Sequence, residues 1–332
     1  MTTYKDAGVD IDVANEGLSR IKKHVNKTFN KYTLSDIGSF GGCFNLPANK
    51  YKNPVLVSSV DGVGTKLLIA SLANKHDTIG QCLVNHCVND ILVIGAKPLF
   101  FLDYFAAGKL NNDILENVIK GFSKACKENE CVLIGGETAE MPGFYDDTKY
   151  DVSGTIVGIA EKNDMLPNRK TEPGNILIGL KSSGLHTNGY SLARKVLLSK
   201  YSIGEHIPRL NSTIEEELLK VHRSYLPILE GILKEDWLRS LSHITGGGII
   251  ENTHRVLNDN QDIQINWDSW EWPSIFKLIQ NCGNVPLEDM RRTFNLGIGM
   301  IMIIDESKLD CLVKHLKSIN ENYVIMGSVV SK

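Results

Sequence analysis

No stretch of the chain approaches the roughly 18 consecutive apolar residues that a membrane helix requires, so a spanning segment is excluded. The opening residues, MTTYKDAGVDID, hold acids and no apolar centre, which argues against a targeting leader. Basic blocks are lacking as well. With 36 Lys and Arg against 39 Asp and Glu, the formal charge is −3, and no cluster is suited to tracking a phosphate backbone. Nucleic acid is therefore an unlikely partner on charge grounds, while single nucleotides stay open. Cysteine is sparse and unpatterned: seven residues, an odd number with no short-spaced framework, exclude a disulfide scaffold and fit a reducing cytosol. Low-complexity tracts and short-period repeats are also missing. What the chain does have is length, 332 residues, and 42% hydrophobic content, enough to bury a large core in two domains.

The polar, proline-bearing stretch EKNDMLPNRKTEPG (161–174) separates two halves, which places domains at 1–170 and 171–332. Each half mixes strand-like runs with helical periodicity, so the expected class is α/β or α+β. Strands are predicted at Pro54–Val60, Cys131–Ile134, Ile156–Ile159, Ile176–Leu180, Gly297–Ile304 and Tyr323–Val330. Helices are clearer. Ile114, Leu115, Val118, Ile119, Phe122 and Cys126 recur at three and four behind Asn111 or Asn112. Val13, Leu18, Ile21 and Val25 form a stripe after Asp10 or Asp12. Thr78 to Ile94 is apolar nearly all round and predicts a buried helix ending near Gly95.

The most informative segment is ECVLIGGETAEMPGFY (130–145). A buried strand is expected to end at Gly135 and Gly136, whose lack of Cβ allows close backbone approach to a ligand, with Glu137, Thr138 and Glu140 in the loop beyond. An ordinary turn with solvated glutamates is the competing reading. Asp61 in DGVGTKL, Asp90 at the end of VNHCVND and Asp103 in FFLDYF add carboxylates enough, with Glu137, for one or two magnesium ions carrying a polyphosphate. DGVGTK fails the Walker spacing, and no strand leads into GxGxxG, so neither a P-loop nor a dinucleotide fold is expected. Lys66 and Lys5 beside Gly8 could still meet phosphate. Three segments of the second half are candidate anion sites: SSGLHTNGYSL with His186 and Asn188, HITGGGIIEN with Thr245, Gly246, Gly247 and Gly248, and RTFNLGIGM with Asn295. His186 is either an acid–base group or a hydrogen-bond donor. Cys82 and His86, four apart on a helix, are better read as core packing than as a zinc site.

YKDAGVDID (4–12), DGVGTKL (61–67), GGETAEMPG (135–143), SSGLHTNGYSL (182–192), TGGG (245–248) and RTFN-GIGM (292–300), in that order and almost end to end, resemble the phosphoribosylformylglycinamidine cyclo-ligase family, the aminoimidazole ribonucleotide synthetases. Asp90-x4-Gly95-Ala96-x-Pro98 fits the wider superfamily. Leu185, Thr187, Ile249, Ile250 and Leu296 depart from the pattern. The resemblance implies a two-domain ATP-binding fold, with the N-terminal halves of two chains forming a shared β-barrel in a homodimer. It implies ATP-dependent cyclisation of formylglycinamidine ribonucleotide to aminoimidazole ribonucleotide, a step of purine biosynthesis, with ATP, magnesium and a potassium ion as candidate cofactors. It places Asp61, Asp90 and Glu137 on magnesium and phosphates, Lys5 and Gly8 in a lid, and Lys66, Gly135, Gly136 and Thr138 near the nucleotide. His186, Asn188, Thr245, Gly246 to Gly248 and Asn295 fall to the ribonucleotide, while Asp103 and His186 are candidate bases. The alternatives are another ATP-dependent small-molecule kinase of the superfamily and a non-catalytic nucleotide-binding subunit. The absence of a cysteine before Cys43 disfavours a selenophosphate-forming relative.

Overall fold

The protein is described here by a computed structural model covering residues 2–332. Its first half begins with helix α1 (Ile11–Val25), capped by the Asp10 carboxylate, which accepts from the amides of Asp12 and Val13. The chain then runs β1 (Pro54–Gly62), α2 (Lys66–Ala73), α3 (Asp77–Leu92), β2 (Lys97–Ala107), α4 (Asn112–Glu128), β3 (Val132–Glu140) and β4 (Tyr150–Glu161). The four strands form one sheet in the order β1-β4-β2-β3, antiparallel except for the parallel pair β2–β3. Helix α4 starts at Asn111, whose side chain accepts from the amides of Asp113 and Ile114. Of its expected stripe, Leu115, Val118, Ile119, Phe122 and Cys126 are buried and Ile114 is partly buried. Helices α3 and α4 cross with their backbones touching: a Cβ on Gly80 would stand 2.3 Å from the Val118 carbonyl, and one on Gly121 2.5 Å from that of Asp77. Only glycine permits that approach. In α1 the stripe passes through Gly17, Ile21 and Val25, and Leu18 is exposed, contrary to the periodicity.

One larger departure concerns the glycine pair. The strand does not end at Gly135; β3 continues through Gly136, Glu137 and Thr138 to Glu140, pairing with Leu102–Ala107 of β2. Gly136 serves packing rather than a loop, since a Cβ there would meet the Asp103 carboxylate at 2.2 Å. Glu140 is no free acid either: its two carboxylate oxygens accept from the amides of Asp10 at 3.0 Å and Leu110 at 2.7 Å.

The helices cover one face of this sheet. On the other face Leu56 and Val60 of β1 and Tyr104 of β2 are exposed, and β1 and β3 are both edge strands.

The second half contains β5 (Ile176–Lys181), α5 (Tyr190–Leu197), the short pair β6 (His206–Ile207) and β7 (Ser212–Thr213), α6 (Ile214–Leu218), α7 (Leu226–Leu229), β8 (Leu238–His243), α8 (Gly248–His254), β9 (Gln261–Ile265), α9 (Ser274–Gly283), α10 (Leu287–Thr293), β10 (Ile298–Ile304), α11 (Leu309–Ser318) and β11 (Tyr323–Ser331). Its five-stranded sheet is antiparallel, ordered β8-β10-β5-β11-β9. Every residue of β10 is buried, as its unbroken apolar run IGMIMII requires of a strand covered on both faces. Among the described residues no helix is long and apolar enough to cross a membrane.

Candidate functional site between the two sheets

The two halves meet where β1 runs into α2 and α3 and where the second half contributes the loop 182–189, the segment 220–225 and the end of β8. Asp61 is the penultimate residue of β1, and Asp90 lies four residues after His86 on α3, hence on the same helical face. His86 Nε2 is 2.8 Å from Asp61 Oδ2 and 3.7 Å from Asp90 Oδ2. From the other half, His243 Nδ1 stands 2.8 Å from Asp90 Oδ1. Thr187 Oγ1 lies 2.7 Å from His86 Nδ1 and 3.3 Å from His222 Nδ1, and His222 Nε2 lies 3.1 Å from His243 Nε2. The result is one unbroken line from Asp61 through His86, Thr187, His222 and His243 to Asp90. Two proton arrangements satisfy all five contacts, one with the charge at His86 and its reverse with the charge at His243. In the first, an imidazolium at His86 donates to Asp61 and to Thr187, the hydroxyl donates to His222, His222 to His243, and His243 to Asp90.

The electrostatics agree with the first arrangement. Burial disfavours ionised Asp61, but the hydrogen bond and charge of His86 outweigh it and hold the carboxyl below its ordinary range. Burial pulls His86 down as well, yet Asp61 and Asp90 raise it overall. Asp90 is likewise held low, against burial, by His243, His86 and Ser59. Burial keeps His243 below its ordinary value and drives His222 well below, so both stay neutral. Neither aspartate has a Lys or Arg ion-pair partner among the described residues, and their side chains remain 42% and 26% exposed. A carboxylate pair that opens to solvent and is held by histidine, the Ser59 hydroxyl and the Gly62 amide rather than by Lys or Arg leaves negative charge for a divalent cation.

Sequence reasoning set His86 aside and missed His222 and His243. For His86 a signal existed, since Cys82, His86 and Asp90 follow one another at four-residue spacing on one helix. His222 and His243 lie more than 130 residues away, and no local pattern ties them to Asp90.

Several expected ligands prove to be structural. Lys66 does not face phosphate: it is fully buried, and its ammonium donates to the carbonyls of His186 at 2.9 Å and Lys220 at 2.7 Å and to Cys82 Sγ at 3.1 Å. It starts α2 pointing inward and fastens the two halves together. His186, at φ 62°, is buried, and its Nε2 accepts from the Ser183 amide. Burial and the positive charges around it push it well below its ordinary value, so the ring stays neutral, and its Nδ1 is buried without a hydrogen-bond partner. Asn295 accepts from Ser182 and Gly297 and donates to Gly184, which fixes a turn rather than a ligand. In the Thr245–Gly248 turn, the amides of Gly247 and Gly248 donate to Arg292 and Thr245 carbonyls, Thr245 Oγ1 donates to Asn252, and Asn252 Nδ2 ties the turn's carbonyls. The Gly247 and Gly248 amides are therefore already paired within the protein. Beside it, a Cβ on Gly246 would stand 3.3 Å from Asn188 Oδ1, and Asn188 Nδ2 is buried without a hydrogen-bond partner.

Glu137 is also misplaced for a shared ion. It pairs across the sheet with Tyr104, and strand alternation puts it on the uncovered face, whereas Asp61 and Asp103 lie on the helix-covered face. Asp61 and Glu137 are further separated by two intervening strands, so one chain cannot offer both to one ion. Asp103, half-buried beside Gly136, is lifted to about 7 by desolvation, with the charge of Glu137 adding to the rise. Lys5 is exposed and pairs with Asp10 at 2.6 Å, and Gly8, at φ 97°, leans on Pro142. Gly135 and Thr138 lie within β3.

Comparison with known proteins places this geometry. The family described as AIR synthase related protein matches in both parts, its N-terminal domain over residues 47–160 and its C-terminal domain over 172–332. A phosphoribosylformylglycinamidine cyclo-ligase of Trichlorobacter lovleyi is 46% identical over 99% of this chain and 95% of its own length. That of Thermoanaerobacter pseudethanolicus is 48% identical over 98% and 97%. Among solved structures, thiamine-monophosphate kinase from Stenotrophomonas maltophilia superposes with a TM-score of 0.70 at 15% identity, covering 95% of this chain and 93% of that one. The hydrogenase maturation protein HypE in complex with ATP gives 0.68 at 17%, covering 96% and 86%. At those identities the likeness concerns the mixed α/β fold alone. Full-length identity near one half, with both domain families matched in order, makes this chain a member of the phosphoribosylformylglycinamidine cyclo-ligase family.

Proposed function

We propose that the chain closes an imidazole ring, converting formylglycinamidine ribonucleotide and ATP to aminoimidazole ribonucleotide, ADP and phosphate. The observation that carries this reading is the collinear identity, over 98–99% of the chain, with relatives named for that ligase. The site chemistry supports it. An amide oxygen is a poor leaving group. Once the formyl oxygen takes the γ-phosphoryl group, the amidine nitrogen can attack that carbon and phosphate departs. Such a reaction asks the protein to position two substrates and offset phosphate charge, with no covalent nucleophile.

Asp61 and Asp90 are the residues suited to hold magnesium, which when bound would screen the phosphate oxygens of ATP. Lys5, on an exposed N-terminal turn, is placed to reach a nucleotide, and the unpaired amide of Asn188 is suited to a polar substrate group. Asp103, with a carboxyl near neutrality, is the best-poised base for the attacking amidine. The uncovered apolar sheet face with two free edges supports closure against a second copy into a shared barrel. We further place the boundary between the two domains at residue 170 and the protein in the cytoplasm.

The test follows ADP and aminoimidazole ribonucleotide in one reaction containing magnesium and the ribonucleotide. Equal amounts of both are expected, each dependent on the ribonucleotide. ADP without the imidazole product would replace this reading with a kinase of the same fold.

A further inference from the structure

The side chains that fix Asp61 and Asp90 are not all on the domain that carries those aspartates. His86 orients Asp61, but the other ring nitrogen of His86 ends on Thr187 of the second half. Asp90 is bonded directly by His243 of the second half, and His243 is braced by His222. Thr187 joins both arms, at 2.7 Å to His86 and 3.3 Å to His222. His222 also stacks on His186 with ring centroids 3.9 Å apart and a 21° interplanar angle. All four rings are buried, so turning one out of the line would leave a polar nitrogen unsatisfied in a dry setting. A buried unsatisfied nitrogen costs at least as much as an off-rotamer side chain, so orientation is passed along the line instead of being absorbed locally.

We propose that Thr187, His222 and His243 are positioning residues that, added to the Ser59 hydroxyl on Asp90 and the Gly62 amide on Asp61, set the aim of the two aspartates, so that this carboxylate pair is fully ordered only when the second domain is seated on the first. The proposal rests on the cyclo-ligase reading for its enzymatic readout, not for its geometry. An ordinary buried polar network would contribute stability alone. A positioning line would in addition change how the aspartates meet magnesium, while leaving ribonucleotide contacts intact.

Thr187→Val removes the shared hydroxyl at nearly constant volume, and Thr187→Ser restores it. Outer partners of metal-holding side chains typically contribute 10–100-fold in affinity or activity. The expected result for Thr187→Val is a loss of about tenfold in kcat, or an equal rise in the magnesium concentration for half-maximal rate, with KM for the ribonucleotide unchanged and Thr187→Ser close to the parent. In parallel, proton NMR of the metal-free protein should show downfield imidazole N–H resonances of His86 and His243 that vanish in Thr187→Val and return in Thr187→Ser. If Thr187→Val does not fold, His222→Phe keeps the stacked ring, cuts both links and should give the same two effects. Parent-like kcat, magnesium response and resonances in a folded link-breaking variant overturn the proposal, as does a loss of stability with those quantities unchanged. A parent chain that forms no imidazole product sinks the functional reading instead, and the resonances still decide this one.

Discussion

Replacing Lys66 by Met separates two accounts of a lysine that follows a glycine-bearing loop. If its ammonium gripped phosphate, the substitution would raise KM for ATP and leave the fold intact. The structure places the ammonium inside, with the carbonyls of His186 and Lys220 as acceptors at 2.9 and 2.7 Å and the Tyr190 ring centroid at 5.3 Å. Methionine matches the stem but donates nothing: the His186 carbonyl keeps the Tyr190 hydroxyl at 3.2 Å, while the Lys220 carbonyl is left with only Cys82 Sγ at 3.9 Å, a loss of about 1–3 kcal/mol. Relief from burying an ammonium offsets part of this, so a net loss of about 1–2 kcal/mol is expected. With an m-value of about 3 kcal/mol/M, the urea midpoint should fall by about 0.5 M. Equilibrium unfolding followed by far-UV dichroism, with KM for ATP measured on the folded variant, makes the comparison. A parent-like midpoint combined with a tenfold higher KM for ATP would refute the buried-fastener account.

Asp103→Asn tests the carboxyl lifted to about 7. A folded value above the unfolded one means that stability is fully present below about pH 4 and is lost as pH rises through 7, so the variant should be the more stable by about 1–2 kcal/mol at pH 8, after discounting for partial exposure, and equal to the parent at pH 4. A constant difference at all pH values would remove the basis for a poised base. Glu116 carries the opposite sign: Lys23, Arg20 and His24 hold it down to about 2, joining α1 to α4. Its benefit is present above about pH 4.5 and lost as pH falls toward 2, so Glu116→Gln should cost about 1 kcal/mol at pH 7 and nothing at pH 2 in thermal melts. Val60→Asp places charge on the uncovered sheet face and should halve the mass measured by sedimentation, whereas an unchanged mass would move any self-association elsewhere.

What was legible in the sequence is what depends on neighbours within a turn or a strand. The Asn111 cap and the stripe of α4 state their helix locally, and the apolar run 298–304 states a strand covered on both faces. Gly135 and Gly136 misled because glycine marks both a loop and a close approach. Partners on β2 decide between these, and local sequence does not contain them. Lys66 misled in the same way: being the first residue of α2 does not reveal whether the side chain turns out toward a ligand or inward onto carbonyls more than a hundred residues ahead. The turn glycines 246–248 have amides suited to an anion, but Arg292 and Thr245 carbonyls already accept from two of them.

The aspartate pair illustrates why the histidines were harder to find than the acids, and also why histidine is the fitting partner. Two carboxylates and one imidazolium at His86 leave a net charge of about −1 at the mouth between the domains. An arginine in place of His86 would bind either aspartate with a permanent charge and a rigid fork, in competition with a divalent cation for the same oxygens. Neutral His222 and His243 add no positive charge, yet their N–H groups still fix direction, so the acids are aimed without being neutralised. Such a line must be satisfied at each buried atom, which confines it to one arrangement of the two domains. Its members consequently come from both: Asp61, His86 and Asp90 from one, Thr187, His222 and His243 from the other.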